Sequence, residues 1–257
     1  MSDVRITCDA ISDVGRKRKG NEDAHYLSDE QHLYVVADGM GGHAAGEVAS
    51  RVAVDAIAEF VELTGGNQEI TWPFGLDDSI SYEGNRLKTA VRHANSRVIE
   101  ATRESAEYEG MATTVAAVLV DGDVANLAHV GDSRIYLWSG DAIEQLTRDH
   151  SWVNEQIENG AISPEQARSH PLRNVVTRAL GGRADLVVDI QSRRMQAGDM
   201  LLLCSDGLTT MLPDDEIAGI LRGAQGDVAK AAKELVAAAN ERGGEDNITV
   251  VLLKFGD

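Results

Sequence analysis

The chain has 257 residues, of which 43% are hydrophobic, enough to build a substantial core. Its 24 basic and 42 acidic side chains give a formal net charge of −18, which argues against nucleic-acid binding because a phosphate backbone would be repelled. No apolar run approaches a membrane span, and no secretory signal opens the sequence. Cys8 and Cys204 are too few for a disulfide framework or a thiolate zinc site. We therefore expect a cytoplasmic protein with a single domain over residues 1–257.

The first half of the chain alternates between strand-like and helix-like patterns. Residues 33–37 predict a buried strand, and apolar residues at helical spacing predict a helix over 46–61. Residues 64–85 contain several glycines and a proline, which predict a loop or insertion. This segment could be a docking loop, but we favour local packing. Helical periodicity returns from Leu87 to about Tyr108.

Strand patterns dominate the second half. Two hairpins are predicted, 113–120 with 124–130 and 135–138 with 142–146, because each pair of apolar runs flanks a turn containing glycine. The remaining predictions, in chain order, are short helices within 150–180, a strand at 200–204, helices near 214–222 and 227–242, and a strand at 247–254. Serial hairpins with helices in separate stretches predict antiparallel sheets with helices packed outside them.

Four aspartates lie at the ends of these apolar strands. Asp38, Asp132 and Asp206 each follow a predicted strand, and Asp246 precedes the last one. One such aspartate is usually only a turn residue. If the strand ends converge, each pair of carboxylates at 4 Å would repel by about 4 kcal/mol at an effective dielectric of 20. Such a cluster needs protons or cations, and ligands that are all oxygen favour Mg²⁺ or Mn²⁺ over Zn²⁺.

A basic run from Arg16 to Lys19 precedes Glu22 and Asp23. Such a run is often just a solvated loop. In so acidic a chain, however, an arginine next to two acids is a candidate anion-binding group. Arg18 is that candidate, because a planar guanidinium donates two parallel hydrogen bonds to phosphate.

Six short motifs occur along the chain. In order they are Gly15-x-x-Arg18-x-x-Asn21-Glu22-Asp23, Asp38-Gly39-Met40-Gly41-Gly42-His43 with Ala45-Gly46-Glu47, Gly110-Met111-Ala112-Thr113-Thr114, Gly131-Asp132-Ser133-Arg134, Cys204-Ser205-Asp206-Gly207 and Glu245-Asp246-Asn247. Together they resemble the metal-dependent protein phosphatases, the type 2C serine/threonine phosphatases, and especially their bacterial branch. The resemblance implies an α+β fold, a four-layer α-β-β-α sandwich of two antiparallel sheets with helices outside. That agrees with the pattern of predicted elements.

The resemblance also implies a site with two tightly bound Mn²⁺ or Mg²⁺ ions. Asp38 would bridge the two ions, and the carbonyl of Gly39 would bind one of them. Asp206 and Asp246 would complete the shell of the first ion. The acids expected to act mainly through metal-bound waters are Glu22 and Asp23.

Three further residues receive roles from the resemblance. Arg18 would hold the substrate phosphate. Asp132, together with Asp206, would favour a third and weaker ion, as in bacterial members. Ser169 lies where we expect the flap serine that can reach that ion. For Asp132 an alternative stays open, in which it only caps the turn into Ser133 and Arg134.

The implied activity is hydrolysis of phosphoserine and phosphothreonine by a hydroxide that bridges the two metals, without a phosphoenzyme. Expected partners are phosphorylated proteins, including bacterial Ser/Thr kinases and their targets, and we expect a monomer. Met40 stands where animal-type members carry a proposed general-acid histidine, so the general acid is unassigned.

Two other functions are possible on the residues alone. One is a regulatory module of the same family without turnover, which the retained acids and Arg18 argue against. The other is nucleotide binding by the loop from Gly39 to Ala44, whose spacing fits a dinucleotide fingerprint. No βαβ alternation follows that loop, so we do not favour it.

Overall fold

The computed structural model describes residues 5–41, 45–65 and 74–256. Its strands form two sheets, and within the described residues neighbouring strands pair antiparallel. Sheet I has the order β1 (Ile6–Asp13), β11 (Ile248–Phe255), β10 (Met200–Cys204), β7 (Arg134–Ser139) and β8 (Ala142–Gln145). Sheet II has the order β2 (Asp23–Ser28), β3 (Leu33–Met40), β5 (Val115–Asp121), β6 (Val124–Val130) and β9 (Asp189–Arg194), with β4 (Ala112–Thr113) paired to β3.

Helices cover the outer face of each sheet. The long helices α1 (Ala45–Thr64) and α2 (Tyr82–Ala101) pack on sheet II, and α6 (Asp214–Ala224) and α7 (Val228–Glu241) pack on sheet I. Shorter helices are α3 (Trp152–Glu158), α4 (Pro164–Arg168), α5 (Asp206–Thr209) and a 3₁₀ helix, Ala106–Tyr108. Within the described ranges, no helix has the length and apolar character needed to cross a bilayer.

Three hydrophobic layers separate these four layers of secondary structure. Strand β3 shows why: Leu33, Val35 and Ala37 face the layer under α1 and α2, whereas Tyr34 and Val36 face the layer between the sheets. All five are fully buried. A strand buried on both faces reads as one continuous apolar run, which is the pattern of residues 33–37. The predicted four-layer sandwich is confirmed.

Several predicted boundaries were wrong by a few residues. Strand β3 continues to Met40, so Asp38 lies inside the strand instead of after it. Helix α2 begins at Tyr82, inside the segment predicted as loop, because Ser81 caps it by accepting from the Gly84 N–H at 2.9 Å. The helix ends at Ala101, short of the predicted Tyr108.

The segment between α1 and α2 is described only in part. Trp72 and Pro73 lie outside the described residues. Phe74 packs beneath the Arg92 guanidinium of α2, 4.4 Å from the ring centroid. Lys88 of α2 pairs with Asp77 at 3.0 Å. The described end of the segment therefore packs against α2.

The sequence patterns did not predict three of the strands, and each of these lies at the edge of a sheet. Strand β1 is one edge of sheet I, and β2 and β9 are the two edges of sheet II. Their residues are mostly half-buried or exposed, and β9 carries two arginines and a glutamine. Edge strands of this composition form because a neighbouring strand supplies hydrogen-bond partners, which a local apolar pattern does not report.

Candidate metal centre

The two sheets bring four aspartates to one end of the sandwich. Asp23, at the start of β2, is the register partner of Asp38 in β3. Asp206 directly follows Ser205 at the end of β10, and Asp246 lies just before β11, its antiparallel neighbour. Neighbouring antiparallel strands end and begin at the same sheet edge, so each sheet contributes a pair of acids.

Hydrogen bonds between the sheets hold these two pairs together. The Ser205 hydroxyl donates to Asp23 Oδ2 at 2.7 Å, and Asn247 Oδ1 accepts from the Glu22 N–H at 2.8 Å. The Asn247 amide donates to the carbonyl oxygens of Val14 and Gly20 at 3.0 and 2.9 Å. Sequence reasoning assigned no role to Ser205 or Asn247, although each adjoins a predicted metal ligand.

Gly39 allows Glu22 to approach Asp38. The Gly39 N–H donates to the Glu22 carbonyl oxygen at 3.1 Å. A Cβ at residue 39 would lie 2.0 Å from the Gly46 carbonyl oxygen and 2.5 Å from that of Glu22. Only glycine fits here, because those contacts are with backbone atoms that cannot move aside. The glycine thus sets the spacing between the start of β2 and the end of β3.

Burial and mutual repulsion raise the pKa values of the clustered carboxyls. Burial, followed by the negative charges of Asp23, Asp206, Asp132 and Asp246, raises the pKa of Asp38 well above its usual range. Burial likewise raises the pKa of Asp23 to about 7, that of Asp132 to about 7 and that of Asp206 to about 6. The acids therefore share one electrostatic environment in which a cation would be strongly favoured.

Arg18 lies at the rim of this cluster. Its Nη2 donates to Asp246 Oδ2 at 2.6 Å, and its side chain is 49% exposed. The loop that carries it is fixed by backbone hydrogen bonds from Arg16 and Lys17 to the Gly244 carbonyl oxygen, at 2.7 and 3.2 Å. The guanidinium is thus anchored beside the acids while remaining open to solvent.

Asp132 joins the cluster from sheet II, in the turn between β6 and β7. Arg134, two residues further along the chain, forms a bidentate pair with Asp149, with Nη2 2.7 Å from Oδ2. Ser169 caps the end of α4 and is exposed. In the described part of the chain no hydrogen bond connects Ser169 to Asp132 or to the other predicted ligands, so the structure does not bring Ser169 into the cluster.

Potential ligand atoms come closest together elsewhere. Among the described residues, one atom each from His129, His150 and Asp189 lie within 4.8 Å of one another, and no three of the predicted acids do so. The His group is a poor metal site, because His150 Nδ1 accepts from Gly131 N–H, which leaves the proton on Nε2, and Arg178 already pairs with Asp189 at 2.8 Å. The predicted acids thus lie in one electrostatic environment and are held by hydrogen bonds between the sheets, but they do not form a complete coordination shell.

The donor set of the acidic cluster fits hard divalent cations. Its side-chain donors are all carboxylates. Asp23 Oδ1 is buried and has no hydrogen-bond partner among the described residues, so this oxygen has unused acceptor capacity within that part of the chain. Nucleotide binding by the loop after β3 is not supported, because the flanking sheet is antiparallel; Gly42, His43 and Ala44 lie outside the described residues.

Comparison with known proteins identifies the family. The family model described as protein phosphatase 2C matches residues 16–252. The serine/threonine phosphatase stp of Listeria innocua is 38% identical over 250 residues, covering 95% of this chain and 93% of that protein. The serine/threonine protein phosphatase PstP of Mycobacterium tuberculosis is 38% identical over 248 residues, covering 96% of this chain and 45% of that longer protein.

Solved structures agree. The crystal structure of the Mycobacterium tuberculosis phosphatase PstP/Ppp superposes with a TM-score of 0.86 at 37% identity, covering 99% of this chain and 100% of that one. The catalytic domain of PstP in complex with two manganese ions gives a TM-score of 0.83 at 35% identity, covering 99% of each chain. The chain belongs to the protein phosphatase 2C family.

Proposed function

We propose that this enzyme hydrolyses phosphoserine and phosphothreonine in proteins at a binuclear Mn²⁺ or Mg²⁺ centre. The observation that carries the proposal is the convergence of carboxyls with raised pKa values, drawn from both sheets, beside the exposed Arg18. The PstP catalytic domain with two manganese ions supports the metal count by similarity. The bacterial relatives named serine/threonine phosphatases support the substrate class.

The ligand roles follow the predicted ones. Asp38 would hold both ions, because it is buried and feels the charges of four other aspartates. Asp206, Asp246 and the Gly39 carbonyl would hold the first ion. Glu22 and Asp23 would contribute mainly through waters on the ions, and one oxygen of Asp23 already accepts from the Ser205 hydroxyl.

The reaction needs a nucleophile and a cradle for the phosphoryl group. When bound, the ions held by these acids would lower the pKa of a coordinated water and so supply a hydroxide, which would make a phosphoenzyme unnecessary. Arg18 binds the phosphate and stabilises charge on its equatorial oxygens. Its hydrogen bond to Asp246 aligns the guanidinium in advance, and its exposed position lets a protein substrate reach it.

A third and weaker ion is proposed at Asp132, shared with Asp206. Support comes from the pKa of Asp132, which burial and the neighbouring charge of Asp206 raise to about 7. Ser169 is proposed as its flap contact only for a conformation in which the segment around α4 approaches the cluster. Phosphorylated proteins, including bacterial Ser/Thr kinases and their targets, remain the proposed partners of a monomeric, cytoplasmic, single-domain enzyme.

Removal of divalent metal should abolish activity. Phosphopeptide hydrolysis should vanish in EDTA and return on addition of excess Mn²⁺ or Mg²⁺. The melting temperature should fall in parallel, because the carboxylates then repel one another, and an ion at 100 times its Kd stabilises the native state by about 2.7 kcal/mol. Release of inorganic phosphate and a thermal melt measure both effects, and full activity in excess chelator would rule out the two-metal site.

Substitution of Arg18 should weaken substrate binding and spare the metals. Arg18→Ala should lower kcat/KM for a phosphopeptide, mainly by raising KM, because a charge-assisted hydrogen bond to phosphate is lost. The loss of transition-state stabilisation should be about 1.5–3 kcal/mol. Affinity for Mn²⁺, measured by calorimetry, should stay unchanged or become tighter, because Asp246 loses a competing cation. The matched control is Arg16→Ala, an exposed neighbour with no ion pair in the described structure. Equal kcat/KM values for the two variants would show that Arg18 is only a surface cation and does not bind the phosphate.

Substitution of Asp132 should separate the third ion from the tight pair. In Asp132→Asn, calorimetric titration should still count two tight Mn²⁺ sites, while kcat falls by an amount that changes with millimolar Mn²⁺. A mere turn defect would instead lower the melting temperature equally at every metal concentration. Wild-type kcat with an unchanged metal titration would remove Asp132 from the site.

A further inference from the structure

Both backbone polar groups of Gly131, the residue before Asp132, form hydrogen bonds with His150. The Gly131 N–H donates to His150 Nδ1 at 3.0 Å, and the Gly131 carbonyl oxygen accepts from the His150 N–H at 2.7 Å. Gly131 has φ +110°, and a Cβ there would lie 2.5 Å from Thr114 Cγ2. The turn that aims Asp132 into the cluster therefore depends on a glycine that His150 fixes on both sides.

Contacts on the side of the ring that faces away from Gly131 fix the orientation of the His150 imidazole. Because Nδ1 accepts from a backbone N–H, the neutral ring carries its proton on Nε2, which lies 3.2 Å from its acceptor Asp189 Oδ2 and 3.1 Å from Arg178 Nη1. The other oxygen of Asp189 accepts from Arg178 Nη1 at 2.8 Å. The ring of His129 packs against that of His150 with 4.7 Å between centroids. The imidazole is buried and held at both nitrogens.

His150 also connects this turn to the segment that contains α3 and α4. Its carbonyl oxygen accepts from the Thr177 N–H at 2.8 Å, and the next residue, Ser151, forms an antiparallel bridge with Val176. The base of the segment from 151 to 176 and the turn at Asp132 therefore share His150 as a common attachment point.

We propose that His150 is a positioning residue for Asp132: it sets the direction of that carboxylate through Gly131, and Asp189, itself held by Arg178, accepts from Nε2 and so favours the tautomer that this requires. The proposal rests on the function proposed above, because it assumes that Asp132 binds an ion. It assigns His150 no contact with substrate. An outer partner of this kind typically changes metal affinity or activity by about 10- to 100-fold when it is removed.

Two substitutions separate this hydrogen bond from simple packing of a buried ring. His150→Asn loses the ring but can place its Oδ1 close to the former position of Nδ1, where it can accept from Gly131. His150→Leu keeps apolar bulk but offers no acceptor. If only packing matters, the leucine variant should be the better enzyme; if the hydrogen bond matters, the asparagine variant should be.

The experiment measures phosphopeptide turnover over a range of Mn²⁺ concentrations, with calorimetry to count tight sites. We expect His150→Leu to lower kcat at least about tenfold and to shift half-activation to higher Mn²⁺, as Asp132→Asn does, with two tight ions retained. His150→Asn should recover most of that loss. The matched control His93→Asn, in a half-buried ring of α2 packed 5.8 Å from the Phe60 ring, should leave both quantities unchanged.

Three results would overturn the inference. The first is a wild-type kcat and Mn²⁺ dependence in His150→Leu. The second is an equal loss of kcat in His150→Leu and His150→Asn. The third is wild-type turnover in Asp132→Asn together with reduced turnover in His150→Leu. If the leucine variant does not fold, Asp189→Ala removes the anchor of Nε2 from a half-exposed position and should shift the Mn²⁺ curve in the same direction. An unchanged curve there would also overturn it. An inactive wild type with Mn²⁺ would instead overturn the proposed function itself.

Discussion

Repulsion among buried carboxylates at one end of the sandwich is the constraint on which the rest of this structure depends. Asp38 lies within the field of four other aspartates and is itself buried, so ionising it is costly. Such a cluster destabilises the native fold unless positive charge enters it. Arg18 supplies one such charge at the rim, where it pairs with Asp246. Divalent ions would supply the charge at the centre, which links metal binding, stability and catalysis in one site.

The sandwich resists this repulsion through hydrogen bonds to backbone groups, which do not change when the carboxyls gain or lose protons. Asn247 ties the start of β2 to the start of β11 and also holds two carbonyl groups of the Arg18 loop. Gly39 brings Glu22 against the end of β3. These contacts lie at the end of a fully buried layer between the two sheets. The acids are thus held in place by packed strands, which is the rigidity that a preorganised site requires.

The sequence was most informative where strands are buried on both faces. Strands β6 and β10 match their predicted bounds, and β3 and β11 match within a few residues, because continuous apolar runs report burial directly. Asp38, Asp132, Asp206 and Asp246 could be picked out because they lie at the ends of such runs, whereas the roles of Glu22 and Asp23 came from the family resemblance. The edge strands β1, β2 and β9 could not be predicted, since their hydrogen-bond partners come from distant parts of the chain.

Supporting residues of the site were harder to predict than its acids. Asn247 and His150 act through hydrogen bonds to backbone groups that are distant in sequence, including those of Glu22 and Gly131. No periodicity or composition reports such a bond. Ser169 shows the opposite case: its position in the sequence suggested a ligand, yet it caps the short helix α4 at the surface. A role for it requires movement of that segment.

Anomalous diffraction from crystals grown with Mn²⁺ tests the central claim most directly, because it locates each manganese without assuming a ligand set. The account predicts two strong peaks about 4 Å apart, with the Asp38 carboxylate between them. A weaker peak beside Asp132 would mark the third ion. No peak near Asp38, or a single strong peak among His129, His150 and Asp189, would contradict the account.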